Sequence, residues 1–171
     1  NPVGYEQIIR VALPKEDFDK ITEVTTEALK HLPNEPQFYY YQGAVQFQQE
    51  DYKAALRTFE TGLENATIKN PILESDFHGQ IGDLNYFLKN KEEAYKSYEN
   101  ALKLNPQNLH VLNNYSYYLS LDKTDLDKAE KMSSITVKLE PMNPTYLDTY
   151  GWILYEQESY IMAKIYIEKA I

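Results

Sequence analysis

The chain has 171 residues, of which 43% are hydrophobic, and this excludes an intrinsically disordered chain because a core can be buried. Its formal net charge is -9 with 17 scattered Lys and Arg residues, so we expect no binding to nucleic acid, which requires clustered basic residues. It has no Cys, which excludes disulfides, thiolate catalysis and Cys-ligated zinc, and no apolar run approaches the roughly 20 residues of a membrane span.

Five pairs of helices are predicted in series, with no strand-like alternation of useful length. In each pair a first helix is followed by a tight turn and an amphipathic second helix, as Leu56, Phe59 and Leu63 show by their helical spacing. Pro106 and Pro141 stop second helices at corresponding places. The predicted pairs are residues 2–35, 36–74, 75–108, 109–143 and 144–171.

Three of the pairs share a pattern of small and aromatic residues. Each has a Gly in its first helix, an aromatic residue four positions later and an Ala twelve positions after the Gly. The matching positions are Gly43, Phe47 and Ala55, then Gly82, Tyr86 and Ala94, then Gly151, Tyr155 and Ala163. Two helices approach closely only where neither carries a bulky side chain. The pattern therefore predicts stacked units that bury a core only together.

This pattern resembles the tetratricopeptide repeat family, in which each unit is a helix–turn–helix of about 34 residues, and it is most similar to bacterial members. The resemblance implies an all-α fold, a right-handed superhelical solenoid of about five hairpins, in a single repeat domain over residues 1–171. The chain begins at Asn1 and ends at Ile171 before the fifth unit closes, so we expect a piece of a longer protein. Its compartment stays open: cytoplasmic, or periplasmic or outer-membrane-associated if a targeting segment has been removed.

Two units depart from the family pattern. The first has Ile9 and Ile21 where small residues are expected, so we expect a wider hairpin. In the second, Gly43 and Gly82 are 39 residues apart, which is longer than the repeat of about 34 residues. We expect a lengthened second helix or a longer loop near the sequence "ENATIKNPILES".

In this family the first helices line a concave groove, and the resemblance implies which positions face it. The candidate binding residues are, in chain order, Tyr40, Tyr41, Asp83, Tyr86, Asn113, Asn114, Tyr117, Asp148, Trp152 and Tyr155. Tyr and Trp supply large contact areas at binding hot spots, Asn side chains can hydrogen-bond a peptide backbone, and the acidic residues indicate a neutral or basic partner. Tyr86 and Tyr155 could instead pack between units, and both alternatives stay open.

We expect a non-catalytic scaffold that binds a protein or peptide, with no cofactor and no metal. The three His residues, His31, His78 and His110, fall in different units without ligand spacing, and no phosphate-binding loop or nucleophile motif is present. Two alternatives remain open. One is a structural spacer, or a module that self-associates through its apolar C-terminal helix. The other is a regulatory segment of an enzyme whose catalytic domain lies outside this piece.

Overall fold

All regular secondary structure among the described residues is helical. The computed structural model describes residues 1–65 and 68–171, and these contain ten α-helices, one short 3-10 helix and no strand. The α-helices are α1 (Pro2–Ala12), α2 (Phe18–His31), α3 (Pro36–Gln48), α4 (Tyr52–Asn65), α5 (Pro71–Phe87), α6 (Lys91–Leu104), α7 (Leu109–Leu121), α8 (Leu126–Leu139), α9 (Pro144–Glu156) and α10 (Tyr160–Ala170). The 3-10 helix (Leu13–Lys15) connects α1 to α2.

Proline and asparagine set the first residues of several helices. Pro71 and Pro144 lie in the first turns of α5 and α9, where a missing N–H breaks no helical hydrogen bond. The preceding Asn70 and Asn143 cap these helices, because each side-chain oxygen accepts a hydrogen bond from the backbone N–H two residues on, at 2.9 and 3.1 Å. These local signals therefore fix where α5 and α9 begin.

The chain divides into two compact units, residues 1–104 and 105–171. In the first unit, α1 to α6 pack in sequence, each helix against the next. One buried cluster joins α1, α2 and α3, and a second joins α3, α4 and α5 around Phe59 and Phe77, whose rings meet edge to face at 5.6 Å. Ile9 and Ile21, the two bulky residues of the first pair, are buried in the first of these clusters.

Glycines allow the helices of a hairpin to approach each other. A Cβ atom on Gly43 would lie 2.7 Å from the ring of Phe59, and one on Gly82 would overlap the ring of Tyr98. In the second unit, a Cβ on Gly151 would lie 2.7 Å from Ile167. The missing side chain is therefore what admits a large residue from the second helix.

The second unit consists of α7 to α10. Consecutive helices pack against each other, and α9 also packs against α7. The core contains Val111 and Leu112 from α7 with Leu147 and Ile153 from α9, all nearly inaccessible to solvent. The turn after α9 is tied back to α8, because the side chain of Gln157 donates hydrogen bonds to Leu126 and Glu130.

Part of the extra length between Gly43 and Gly82 lies in a first helix. α5 has 17 residues and begins at Pro71, four residues before the predicted start, because Asn70 and Pro71 form a strong helix start. α4 is described as far as Asn65, so the expected extension of the second helix beyond that residue stays a prediction. Ala66 and Thr67, which belong to the same predicted insertion, lie outside the described residues.

Candidate functional site

The α7 face of the second unit carries three of the predicted binding residues. Asn113 is 6% exposed, Asn114 is half-buried, and Tyr117 is 37% exposed one turn further on. The side-chain amide of Asn113 donates to Asn114 Oδ1 at 3.2 Å, but its own Oδ1 is buried without a hydrogen-bond partner. A buried unsatisfied oxygen costs about 1–3 kcal/mol, so this acceptor is an uncommon feature of the face.

α9, which packs against α7, carries a stacked pair of aromatic residues. Trp152 is half-buried and stacks on the 49% exposed Tyr155, with ring centroids 5.6 Å apart and 23° between the planes. The Nε1 donor of Trp152 is buried and also lacks a hydrogen-bond partner. Because α7 and α9 pack together, one unpaired acceptor and one unpaired donor lie on neighbouring helices beside exposed aromatic rings.

The acidic character of the α9 face is weaker than the sequence indicates. Asp148 lies exposed near the start of α9. Glu156, at the end of α9, forms an ion pair with Lys123, whose Nζ lies 2.9 Å from the Glu156 carboxylate. The hydrogen bond to Glu156 raises the pKa of Lys123. Lys123 comes from the turn after α7, outside the helical positions that the resemblance highlights, so sequence reasoning missed it. Lys123 and Glu156 are far apart in the sequence, and no local pattern predicts that they pair.

In the first unit, Tyr40 and Tyr41 are half-buried but face different neighbours. Tyr40 packs edge to face against Phe59 and Phe77 at 5.6 and 5.5 Å, whereas Tyr41 packs against the cluster of α1, α2 and α3. Burial, the main cause, and the nearby carboxylate of Asp76 raise the pKa of Tyr40 to about 12. Its hydroxyl therefore stays neutral at physiological pH.

Asp83 and Tyr86 of α5 are engaged within their own hairpin. Asp83 is 3% exposed, and its Oδ1 accepts a hydrogen bond from the hydroxyl of Tyr98 at 2.6 Å. Tyr86 is half-buried with the ammonium of Lys91 5.7 Å from its ring centroid. Both residues contact side chains of α6, so Asp83 and Tyr86 are less available to a partner than the candidate residues on α7 and α9.

Two other kinds of site, a metal centre and a membrane-spanning helix, are not found among the described residues. Within residues 1–65 and 68–171, no group of three or more His, Cys, Asp or Glu side chains is placed to hold a metal ion. In the same part of the chain, every helix is too short or too polar to cross a lipid bilayer.

Comparison with known proteins agrees with this architecture. Residues 75–108, which contain most of α5 and all of α6, match the tetratricopeptide repeat family. This unit of the chain is a tetratricopeptide repeat. The predicted all-α fold built from helix–turn–helix hairpins is thereby confirmed. A comparison with curated proteins finds none that matches.

Solved tetratricopeptide-repeat structures resemble the chain over nearly its whole length. PilF of Pseudomonas aeruginosa has a TM-score of 0.80 at 19% identity, covering 98% of this chain and 73% of that one. A MamA fragment from Desulfovibrio magneticus RS-1 has a TM-score of 0.77 at 17% identity, covering 97% of this chain and 90% of that one. YrrB, described as a repeat protein with an unusual peptide-binding site, has a TM-score of 0.72 at 19% identity, covering 100% and 85%. At these identities the similarity concerns the fold.

Proposed function

We propose that this protein is a non-catalytic scaffold that binds a peptide segment of a partner protein on the face formed by α7 and α9. The observation that carries the proposal is the pair of unsatisfied polar atoms, Asn113 Oδ1 and Trp152 Nε1, on two packed helices. A peptide backbone offers an N–H and a C=O in alternation, which are the groups that these two atoms lack. The peptide-binding description of YrrB, a protein of the same fold, adds support.

The aromatic residues supply the contact area. Tyr117 and Tyr155 are 37% and 49% exposed, and Trp152 lies stacked beneath Tyr155. Rigid aromatic side chains bury a large area at a low entropic cost, which is why Trp and Tyr dominate hot spots. Since Asn113 Oδ1 and Trp152 Nε1 are buried in the free protein, a peptide reaches them only by displacing a neighbouring side chain.

The partner segment is neutral or basic. Asp148 is the exposed acidic residue of the α9 face, and Glu156 is already paired with Lys123. Asn113 and Asn114 are neutral amides. A segment with one or two Lys or Arg side chains and a free backbone edge fits this surface better than an acidic one.

A displayed library of random dodecapeptides tests the proposal. Peptides selected on the intact protein should bind at least tenfold more weakly to a double variant, Trp152→Ala with Asn114→Ala. Tenfold corresponds to about 1.4 kcal/mol. The matched control is Lys96→Ala, an exposed change on α6, which should leave affinity unchanged. Circular dichroism checks that both variants are folded. Selected peptides that bind the double variant as tightly as the wild type would show that this face is not the site.

A further inference from the structure

One ion pair joins the ends of α7 and α9. Lys123 lies in the turn after α7, and its Nζ is 2.9 Å from the carboxylate of Glu156, the last residue of α9. Glu156 also follows Trp152 by one helical turn, so the two residues lie on the same side of α9. The ion pair therefore stands at one end of the proposed peptide site.

The two members of this ion pair differ in their exposure. The side chain of Glu156 is 10% exposed, whereas that of Lys123 is 72% exposed. The fold thus encloses the carboxylate, and the ammonium reaches it from the solvent side. An exposed Lys side chain returns to water at little cost, but an enclosed carboxylate left without a cation is strongly destabilised. Glu156 therefore needs a cation, which need not come from Lys123.

The helix ends around Glu156 favour a cation as well. The C-terminal end of a helix carries a partial negative charge, which a basic residue in the last turn usually offsets. Neither α7 nor α9 has such a residue in its last turn. Lys123, two residues beyond the end of α7, supplies the positive charge that these two ends lack. A basic side chain from a partner fits the same place.

The other charged residues of the two turns are acidic. They are Asp122 and Asp125 beside Lys123, and Glu158 in the turn after α9. The next basic residue along the chain, Lys128, is engaged elsewhere, because its Nζ lies 3.0 Å from the hydroxyl of a tyrosine on α7. The balance of charge in these turns is negative, so this end of the face attracts a basic side chain and not an acidic one.

An aromatic ring lies near the same ammonium. The hydrogen bond to Glu156 is the main cause of the raised pKa of Lys123, and the nearby Tyr155 contributes to it. Tyr155 is 49% exposed and stacks on Trp152. A carboxylate beside an aromatic ring suits a Lys or Arg side chain, because ion pairing and cation–π attraction act on the same charge.

We propose that Lys123 occupies, in the free protein, the subsite for a Lys or Arg side chain of the bound peptide. The peptide's cation replaces the Lys123 ammonium on the carboxylate of Glu156, and Lys123 turns into solvent. One ion pair is exchanged for another, so Glu156 is not left enclosed without a cation. This proposal rests on the peptide-binding function proposed for α7 and α9, and it names the side chain that the peptide carries and the residue that competes with it.

Peptides selected from the displayed dodecapeptide library test the exchange. Those whose binding depends on Trp152 and Asn114 should share a Lys or Arg at one position. By calorimetry, a synthetic copy with Gln at that position should bind the wild type about tenfold more weakly or worse. Glu156→Gln should bind the two peptides equally, because the carboxylate that distinguishes them is gone. Lys123→Met should bind the basic peptide about threefold more tightly than the wild type, and the Gln peptide unchanged.

Two matched variants separate this exchange from a general change of charge. Lys131→Met removes an exposed Lys of α8, and Glu158→Gln removes an exposed carboxylate two residues after Glu156. Both should keep the wild-type affinities for the basic peptide and for the Gln peptide. Circular dichroism checks that all four variants are folded.

Three results overturn the exchange and leave the peptide site of α7 and α9 standing. They are Trp152-dependent peptides without a shared basic residue, a preference for the basic peptide that survives in Glu156→Gln, and a Lys123→Met protein that binds this peptide no more tightly than the wild type. A fourth result is distinct. If the selected peptides bind the Trp152/Asn114 double variant as tightly as the wild type, the proposed site itself is wrong, and the exchange at Lys123 with it.

Discussion

The two faces that the sequence marks as equivalent binding surfaces are built differently. On α3 and α5, the polar and aromatic residues are already engaged: Tyr40 packs on Phe59 and Phe77, and Asp83 accepts a hydrogen bond from Tyr98. On α7 and α9, Asn113 and Trp152 each keep a buried polar atom without a partner beside partly exposed aromatic rings. The same repeat positions therefore stabilise the first unit and leave unsatisfied polar atoms in the second.

The difference comes from the second helices that lie behind the faces. In the first unit, α4 and α6 contribute the large buried rings of Phe59 and Tyr98. In α8 the residue equivalent to these rings is Ser133, a small side chain whose hydroxyl is itself buried without a partner. Because α8 supplies neither a large aromatic ring nor a phenol hydroxyl at this position, Asn113 on α7 and Trp152 on α9 each keep a polar atom without a hydrogen-bond partner. Four predictions test this contrast.

The largest expected effect is on the aromatic core of the first unit. Phe77→Ala should lower the free energy of unfolding by about 3–5 kcal/mol, because a fully buried ring is lost and a cavity remains. Phe87→Ala, a truncation of the 44% exposed ring at the end of the same helix, should cost much less. Urea denaturation followed by circular dichroism compares the two variants, and equal losses would contradict the assignment of the core.

A smaller loss should follow removal of the phenol donor behind α5. Tyr98→Phe deletes the hydroxyl that donates to Asp83 at 2.6 Å in a buried site. The carboxylate then loses a charge-assisted hydrogen bond, at a cost of about 1–3 kcal/mol. Tyr160→Phe is the matched control, since Tyr160 is 56% exposed and should change stability by less than about 0.5 kcal/mol. A Tyr98→Phe protein as stable as the wild type would mean that Asp83 does not depend on this donor.

The corresponding change in the second unit should cost little. Trp152→Phe removes the Nε1 donor that has no hydrogen-bond partner, so the lost packing is offset by relief of an unsatisfied polar group. We expect the free energy of unfolding to change by less than about 1 kcal/mol, in the same urea experiment. A loss as large as that of Tyr98→Phe would indicate that Nε1 is hydrogen-bonded and would remove the contrast between the two faces.

The smallest effect is spectroscopic and concerns Tyr40. Its pKa in the folded protein is raised to about 12, from an ordinary value of 10.0, chiefly by burial. Because the folded pKa is the higher one, the neutral phenol contributes fully to stability below pH 10, and this contribution is lost as the pH rises towards about 12. In an absorbance titration at high pH, Tyr40→Phe should remove one tyrosine that ionises late. Loss of a tyrosine that titrates near pH 10 would contradict its burial.

Much of the fold follows from the sequence, whereas the site does so only in part. Small residues such as Gly82 and Gly151 mark where helices meet, and helical spacing marks the second helices, because both reflect local packing geometry. The start of α5 at Pro71 departs from the family period because the local cap of Asn70 and Pro71 begins the helix earlier.

The state of each site residue depends on what lies behind it in space. A family register places Asp83, Tyr117 and Trp152 at one repeat position, yet the first is buried on a phenol hydroxyl, the second is exposed, and the third stacks on Tyr155. These outcomes are decided by residues on other helices, which no local pattern in the sequence specifies.

The most direct test of the proposed peptide site uses the only Trp of the chain, Trp152. A dodecapeptide selected from the displayed library is titrated into the intact protein while the fluorescence emission of Trp152 is recorded. The account predicts a saturable change in emission, with a midpoint equal to the dissociation constant from calorimetry. The midpoint should be at least tenfold higher in Tyr117→Ala. Calorimetric binding with no change in the emission of Trp152 would contradict the claim that α7 and α9 hold the peptide.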